Sequence, residues 1–240
     1  AGAVLRYRLR RVADELLAGL NYGRTEVEGG NYGNDGGRRT ALATRVDNDA
    51  RATEAFLMDR WQFAPRWSAV YGAQAVSSSR EIRNLTVATG ALRNPKADFD
   101  SINPRAGLVH QLAPETELFA NVSRLYEAPT TYQMDDQENG DNRTLDAMKG
   151  IAFEIGSRGR QAIGRTRWHW EAALYYARIR DEILSVDDPA APGTALSSNI
   201  DRTIHAGIEA LLGASLPLDR AGVHRICLLY TSDAADDMQC

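Results

Sequence analysis

Alternation of apolar and polar side chains with a period of two is the feature that most restricts the fold of this chain. It is clearest between residues 102 and 126, on either side of a Pro-containing turn at 113–115. In the first arm the apolar parity carries Ile102, Ala106, Leu108 and Leu112, and the polar parity carries Asn103, Arg105, Gly107 and Gln111. Successive side chains of a β-strand point to opposite faces of a sheet, so the pattern predicts strands with one apolar and one polar face.

The same alternation recurs along the chain and predicts about nine antiparallel strands. Short turns are expected at 10–14, 64–65, 113–115, 159–164 and 217–222, and long polar loops at 29–49, 80–96, 127–148 and 187–198. A short paired segment at 40–45 within the first loop is the alternative to an unpaired loop. Short turns on one side and long loops on the other are typical of an outer-membrane β-barrel. A soluble β-sandwich is the alternative, although its loop lengths need not alternate.

Composition and charge exclude several functions. The net charge of −4, with no basic cluster, argues against nucleic acid as a partner. No apolar run approaches the ~20 residues that a membrane-spanning helix needs. Residues 1–11 lack the apolar core of a signal peptide, and an exported protein needs one, so we expect the native N-terminus to lie upstream.

The sequence contains no convincing enzyme motif. The four histidines are spread over different predicted strands, and no serine lies in a nucleophile elbow. The Gly-rich segment at 29–37 is not followed by a helix, as a phosphate-binding loop would be. We therefore predict no catalytic residue, no cofactor and no metal site; a hydrolase carried by a barrel is the alternative left open.

Three segments together resemble the barrel of TonB-dependent outer-membrane receptors. They are INPRAGLVHQLAPETELFANVSRLYEAPT at 102–130, AFEIGSRG at 152–159 and NIDRTIHAGIEA at 199–210. The resemblance covers roughly residues 1–225 and implies that 1–226 form part of an antiparallel transmembrane β-barrel surrounded by outer-membrane lipid in a Gram-negative bacterium. It also implies uptake of a scarce nutrient, foremost a ferric siderophore or other iron complex, driven by the TonB complex through a plug domain outside this sequence. A passive porin or structural barrel is the alternative.

Charged residues on the polar parity are expected to face the lumen. We predict that they contact the plug, and the alternative is ion pairing between neighbouring strands. These candidates are Arg105, Glu154, Arg158, Glu171, His205 and Glu209. Glycines on the same parity predict either close plug packing or wall curvature; they are Gly19, Gly72, Gly107, Gly156 and Gly207. Aromatic residues on the apolar parity predict an interfacial girdle, with an ordinary sandwich core as the alternative; they are Trp67, Tyr71, Trp168, Trp170 and Tyr176.

The C-terminal segment CLLYTSDAADD at 227–237 resembles one reading frame of an adapter used in transposon-based sequencing libraries. We therefore predict that the native sequence ends near Arg225 or Ile226 and that 227–240 are non-native. A native edge segment is the alternative. Both cysteines, Cys227 and Cys240, lie in this tail. For that reason neither a disulfide nor a metal site is inferred from them.

Overall fold

Thirteen β-strands and one short helix account for most of what the structure, a computed structural model, describes: residues 1–135, 144–188, 195–218 and the backbone of 225–236. The strands are β1 (Gly2–Arg10), β2 (Asp14–Asp35), β3 (Arg38–Ala64), β4 (Trp67–Thr86), β5 (Leu92–Arg93), β6 (Lys96–Ala113), β7 (Thr116–Glu127), β8 (Met148–Ile163), β9 (Thr166–Arg180), β10 (Glu182–Asp187), β11 (Ala195–Ile200), β12 (Thr203–Pro217) and β13 (Arg225–Asp236). The helix is α1 (Thr131–Asp135).

Ten of these strands form one antiparallel path, in the order β1-β2-β3-β4-β6-β7-β8-β9-β12-β13. The short strand β5 pairs with β4, and β10 with β11 form a separate hairpin. Each strand of the path lies beside the next path strand in the sequence, and all pairs are antiparallel, which confirms the predicted antiparallel all-β fold. The nine predicted strands correspond to the first nine strands of this path, β1 to β12 without β5, β10 and β11. Strand β13 pairs with β12 where a further strand was expected. That pairing does not test the origin of residues 227–240.

Short turns close one end of the sheet, as predicted. Residues 11–13, 65–66 and 114–115 connect their strands. The fourth turn lies later than the expected 159–164, because β8 continues to Ile163 and only Gly164 and Arg165 turn the chain. Gly164 has φ +61°, a conformation that glycine adopts without steric cost. Most of the fifth, at 217–222, lies outside the described residues.

The prediction of a long loop at 29–49 is wrong. Strand β2 runs to Asp35 and β3 starts at Arg38, so a turn of two residues joins them. Gly36 and Gly37 have φ +55° and +84°, as a tight hairpin turn requires. The glycines, asparagines and aspartates of this segment suggested a loop, but pairing along the whole hairpin outweighs their weak strand preference.

The other three predicted loops are shorter or more ordered than expected. Strand β4 extends to Thr86 within the predicted loop 80–96, and α1 forms within 127–148. The strand expected between the turn at 159–164 and the loop at 187–198 breaks at Asp181, which has φ +56°, and the chain turns into the β10–β11 hairpin. Parts of two predicted loops, residues 136–143 and 189–194, lie outside the described residues. No helix in the described ranges is long and apolar enough to cross a membrane.

Candidate functional site

The two faces of the sheet differ as the alternation predicts. The apolar parity carries large exposed side chains, including Ile102, Leu108, Leu118, Phe153, Ile155, Leu174 and Ile208. The opposite parity carries buried polar groups such as Ser68 and Asn103. An exposed apolar face is stable only in contact with lipid or a partner, so this face forms the outside of the wall and the polar face lines the lumen.

A set of ion pairs shows that the polar face is concave. Arg60 on β3 lies 3.1 Å from Glu117 on β7, although β4 and β6 separate the two strands. Arg158 on β8 approaches the other oxygen of the same carboxylate at 3.0 Å. Neighbouring strands are about 4.8 Å apart, so three strand spacings on a flat sheet would exceed the reach of an Arg–Glu pair. The bridge therefore requires a wall that curves around these side chains.

Four of the six predicted lumen residues share one concavity of about 330 Å³ on this inner face. They are Arg105, Glu154, Arg158 and Glu171. Arg158 and Glu171 are directly opposite on β8 and β9. The other two lie on β12: His205 near its first residue and Glu209 four residues later. The structure thus groups four predicted residues and leaves two apart.

Three of the six have partners within the described chain. Asn121 donates a hydrogen bond of 2.7 Å to Glu154, Arg158 pairs with Glu117, and His205 Nε2 lies 2.9 Å from Glu182. Within the described ranges, Arg105, Glu171 and Glu209 form no ion pair or side-chain hydrogen bond. The charges of the latter three are therefore available to groups outside the described chain.

Arg60 was missed as a lumen residue, although the sequence contains the signal for it. It shares the parity of Glu54 and Met58 along β3. Glu54 also faces the lumen, where it accepts hydrogen bonds from Asn21 and Gln74 at 3.4 and 3.3 Å. Extending the face assignment through residues 51–63 identifies both charges, whereas the bridge to Glu117 depends on wall curvature, which alternation does not encode.

Inward glycines are explained largely by contacts within the wall. A Cβ on Gly19 would come within 2.4 Å of the Phe56 ring, and one on Gly156 within 2.5 Å of Phe119. Each ring belongs to the residue directly opposite its glycine on the next strand. An aromatic side chain lying over a cross-strand glycine covers the exposed backbone and fixes the register. Wall packing thus accounts for these two positions.

The described parts of the connection between β7 and β8, residues 128–135 and 144–147, pack on the inner face at the end opposite the short turns. Met134 of α1 is fully buried with Ile82 of β4, and Phe99 and Ala147 complete this small core. Arg93 holds the helix end, donating to the Asp135 carboxylate at 2.8 Å. This segment therefore narrows the lumen at the end of the sheet opposite the short turns.

A second tie joins this segment to the β10–β11 hairpin. The backbone N–H of Asp146 donates to Asn199 Oδ1 at 2.8 Å, and Asn199 Nδ2 donates to the carbonyls of Asp146 and Asp181 at 3.0 and 2.7 Å. One amide side chain therefore fixes two connections at the same end of the sheet. No group of three or more metal-ligating side chains occurs among the described residues.

The chain matches the family described as "TonB dependent receptor-like, beta-barrel" over residues 3–237. Comparison with curated proteins gives no match. Solved structures with the same fold include the copper transporter OprC, with 17% identity, a TM-score of 0.66, and coverage of 96% of this chain and 36% of that one. The ferric yersiniabactin uptake receptor FyuA from Yersinia pestis has 14% identity, a TM-score of 0.66, and coverage of 98% and 35%.

The siderophore receptor PiuA from Acinetobacter baumannii is a third similar structure, with 15% identity and a TM-score of 0.66. The match covers 100% of this chain and 38% of that one. The chain therefore spans a little more than a third of the length of these structures, as a partial barrel would. At these identities the likeness concerns the fold alone.

Proposed function

The chain belongs to the TonB-dependent receptor-like β-barrel family, and on that premise we propose that it forms part of the wall of a receptor that imports a ferric siderophore or another iron complex. Members of this family are outer-membrane receptors of Gram-negative bacteria rather than enzymes. The match over residues 3–237 carries the proposal. It also favours a receptor over a passive porin.

The substrate class is supported by two of the similar structures. One is described as a ferric yersiniabactin uptake receptor and another as a siderophore receptor. A third is described as a copper transporter. We assign an iron complex to this chain because two of these three similar structures are described as receptors for siderophores. If the protein takes up copper instead, the substrate assignment changes to copper.

The proposed partners are the TonB complex and a plug domain that the TonB complex acts on. We assign the plug contact first to Arg105, Glu171 and Glu209, because their charges face the lumen without an ion-pair partner among the described residues. Charged groups enclosed by protein require compensation, and polar plug groups would provide it. Glu154, Arg158 and His205 already have partners within the described chain and would contact the plug as secondary groups.

Uptake of radiolabelled iron by cells that produce the whole protein tests the function. We expect accumulation of ⁵⁵Fe supplied as a siderophore complex, and its loss when the membrane is de-energised. Accumulation of ⁶⁴Cu instead would assign a copper substrate. Accumulation of either metal without energy would favour a passive channel.

A pair of arginine variants links uptake to the lumen. Arg105→Ala is expected to lower the uptake rate, because it removes a lumen charge from the concavity shared with Glu154 and Glu171. Arg51→Ala is the matched control, since Arg51 lies on the outer parity and pairs with Asp49. Equal loss of uptake in the two variants would contradict a lumen role for Arg105.

A further inference from the structure

Four basic side chains form a cluster on the outer, lipid-facing parity of three adjacent strands. They are Arg124 on β7, Lys149 on β8, and Arg178 and Arg180 on β9. Register places Ile151 directly opposite both Arg124 and Arg178, and Lys149 directly opposite Arg180. All four side chains are exposed. The cluster therefore occupies two successive rows of outward positions on one patch of the wall.

The four cations of this cluster have no acidic partner among the described residues. None of them forms an ion pair or a side-chain hydrogen bond there, although Asp181 lies beside Arg180. Directly opposed like charges destabilise a strand pair, and Lys149 faces Arg180 in that way. Four positive charges brought together without an ion-paired carboxylate are stabilised by a bound anion.

Two outward arginines elsewhere on the wall are neutralised. Arg24 on β2 and Arg51 on β3 share the carboxylate of Asp49, at 2.7 and 2.8 Å. Burial alone would raise the pKa of Asp49, but the hydrogen bonds from these two arginines outweigh it and hold the pKa below its ordinary value. The contrast shows that the cluster of four is not a general property of the outer surface.

Beneath the cluster lies an apolar groove of about 800 Å³. Pro104, Ala106, Val122 and Ile151 contribute its apolar lining. The four basic residues border it, and Arg105 and Asp181 also line it. The next outward row down the wall contains Phe153 and Tyr176, both exposed. The groove therefore opens from a cationic rim onto the apolar band, a combination that fits a molecule with an anionic head and a hydrocarbon chain.

The position of the cluster identifies the leaflet. It lies on the side of the apolar band away from the short turns, and short turns face the periplasm in such barrels. The cations are thus level with the headgroups of the outer leaflet. We propose that this patch binds a phosphorylated glycolipid of the outer leaflet, with its phosphates on Arg124, Lys149, Arg178 and Arg180 and an acyl chain along Val122 and Ile151.

Binding of lipid A to the whole protein purified in detergent tests the proposal. Native mass spectrometry would compare bis-phosphorylated with dephosphorylated lipid A, and inorganic phosphate at millimolar concentration would serve as a competitor. We expect the Lys149→Gln/Arg180→Gln double variant to bind the bis-phosphorylated form roughly tenfold more weakly or worse, because charge-assisted hydrogen bonds are lost. The dephosphorylated form should bind weakly to the wild type and the double variant alike.

The matched control is Arg51→Gln, which removes an outward arginine that already has a carboxylate partner. It should leave affinity for bis-phosphorylated lipid A unchanged. Thermal unfolding of each variant in the same detergent would verify that the barrel is intact. Equal affinity of the wild type for the two lipids, equal loss in Arg51→Gln, or displacement by free phosphate would overturn the proposal. The proposal would also be overturned if the mass spectra showed an anionic protein, and no lipid A, bound to the purified receptor.

Discussion

Placing a charge on the outer face should cost far more than placing the same charge in the lumen. Leu174 tests the outer face: its side chain is 52% exposed, and its cross-strand neighbours Ile155 and Ile208 are 60% and 55% exposed. Three large apolar groups side by side at that exposure indicate contact with lipid. We therefore expect Leu174→Arg to destabilise the barrel.

The expected loss of stability in Leu174→Arg is estimated from the depth of Leu174 in the membrane. The outward apolar positions of β9 run from Trp168 to Tyr176, and the next outward residue is Arg178. A strand tilted by about 40° rises about 2.6 Å per residue, so this band is about 21 Å high and Leu174 lies about 5 Å from its centre. Arginine costs about 2–4 kcal/mol at the midplane and about 0–1 kcal/mol at the interface, so we expect about 2 kcal/mol.

The comparison variant is Glu171→Arg, on the same strand but the lumen parity. Its new charge would be opposite Arg158, and a like-charge cross-strand pair costs less than about 1 kcal/mol. Unfolding of the whole barrel by urea in lipid vesicles, followed by tryptophan fluorescence, measures both. Leu174→Ala controls for the loss of the leucine. Equal destabilisation by the two arginine variants would refute the assignment of faces on β9.

Three further experiments examine other parts of the wall. Glu117→Gln should cost about 1–2 kcal/mol in the same urea assay, because Arg60 and Arg158 both lose their charged acceptor; no change would mean that the bridge contributes nothing. A cysteine at Asp35 should react with an impermeant thiol reagent on intact cells and one at Pro114 should not, with the unsubstituted protein as the background; the reverse result would invert the orientation. Sequencing of the locus without the library adapter should diverge from CLLYTSDAADD after Arg225, and recovery of the same codons would show that the tail is native.

Alternation was sufficient to predict the nine strands of the main path and their faces, but not β5, β10 or β11. Leu108 and Leu174 are exposed on the apolar parity, and Asn103 and Ala173 are buried on the other. A period of two reports local geometry directly, so it requires no knowledge of the tertiary structure. Prolines and short polar turns then fixed the meander order, because sequential antiparallel strands usually lie side by side.

Loop extents and partners could not be predicted in this way. Residues 29–49 have loop chemistry, and only pairing between β2 and β3 makes them a hairpin. The Arg60–Glu117 pair joins residues 57 positions apart across a curved wall. The basic cluster, too, depends on the register of β7, β8 and β9, since no two of its members other than Arg178 and Arg180 are close in sequence.

Because the β2–β3 hairpin is long, we expect it to be less stable at its tip than near the wall. From Tyr22, the last large apolar outward residue of its band, to Gly36 the hairpin rises about 35 Å beyond the membrane. Strand β4 supports it only as far as Thr44, and beyond that point two strands stand alone, with register shifts at Asn31 and Tyr32. Two-stranded hairpins are marginal in water and re-form within about 1–10 μs. Amide hydrogens should therefore exchange rapidly at the tip and slowly near the wall, so that the outermost part can change conformation while the strands beneath stay paired.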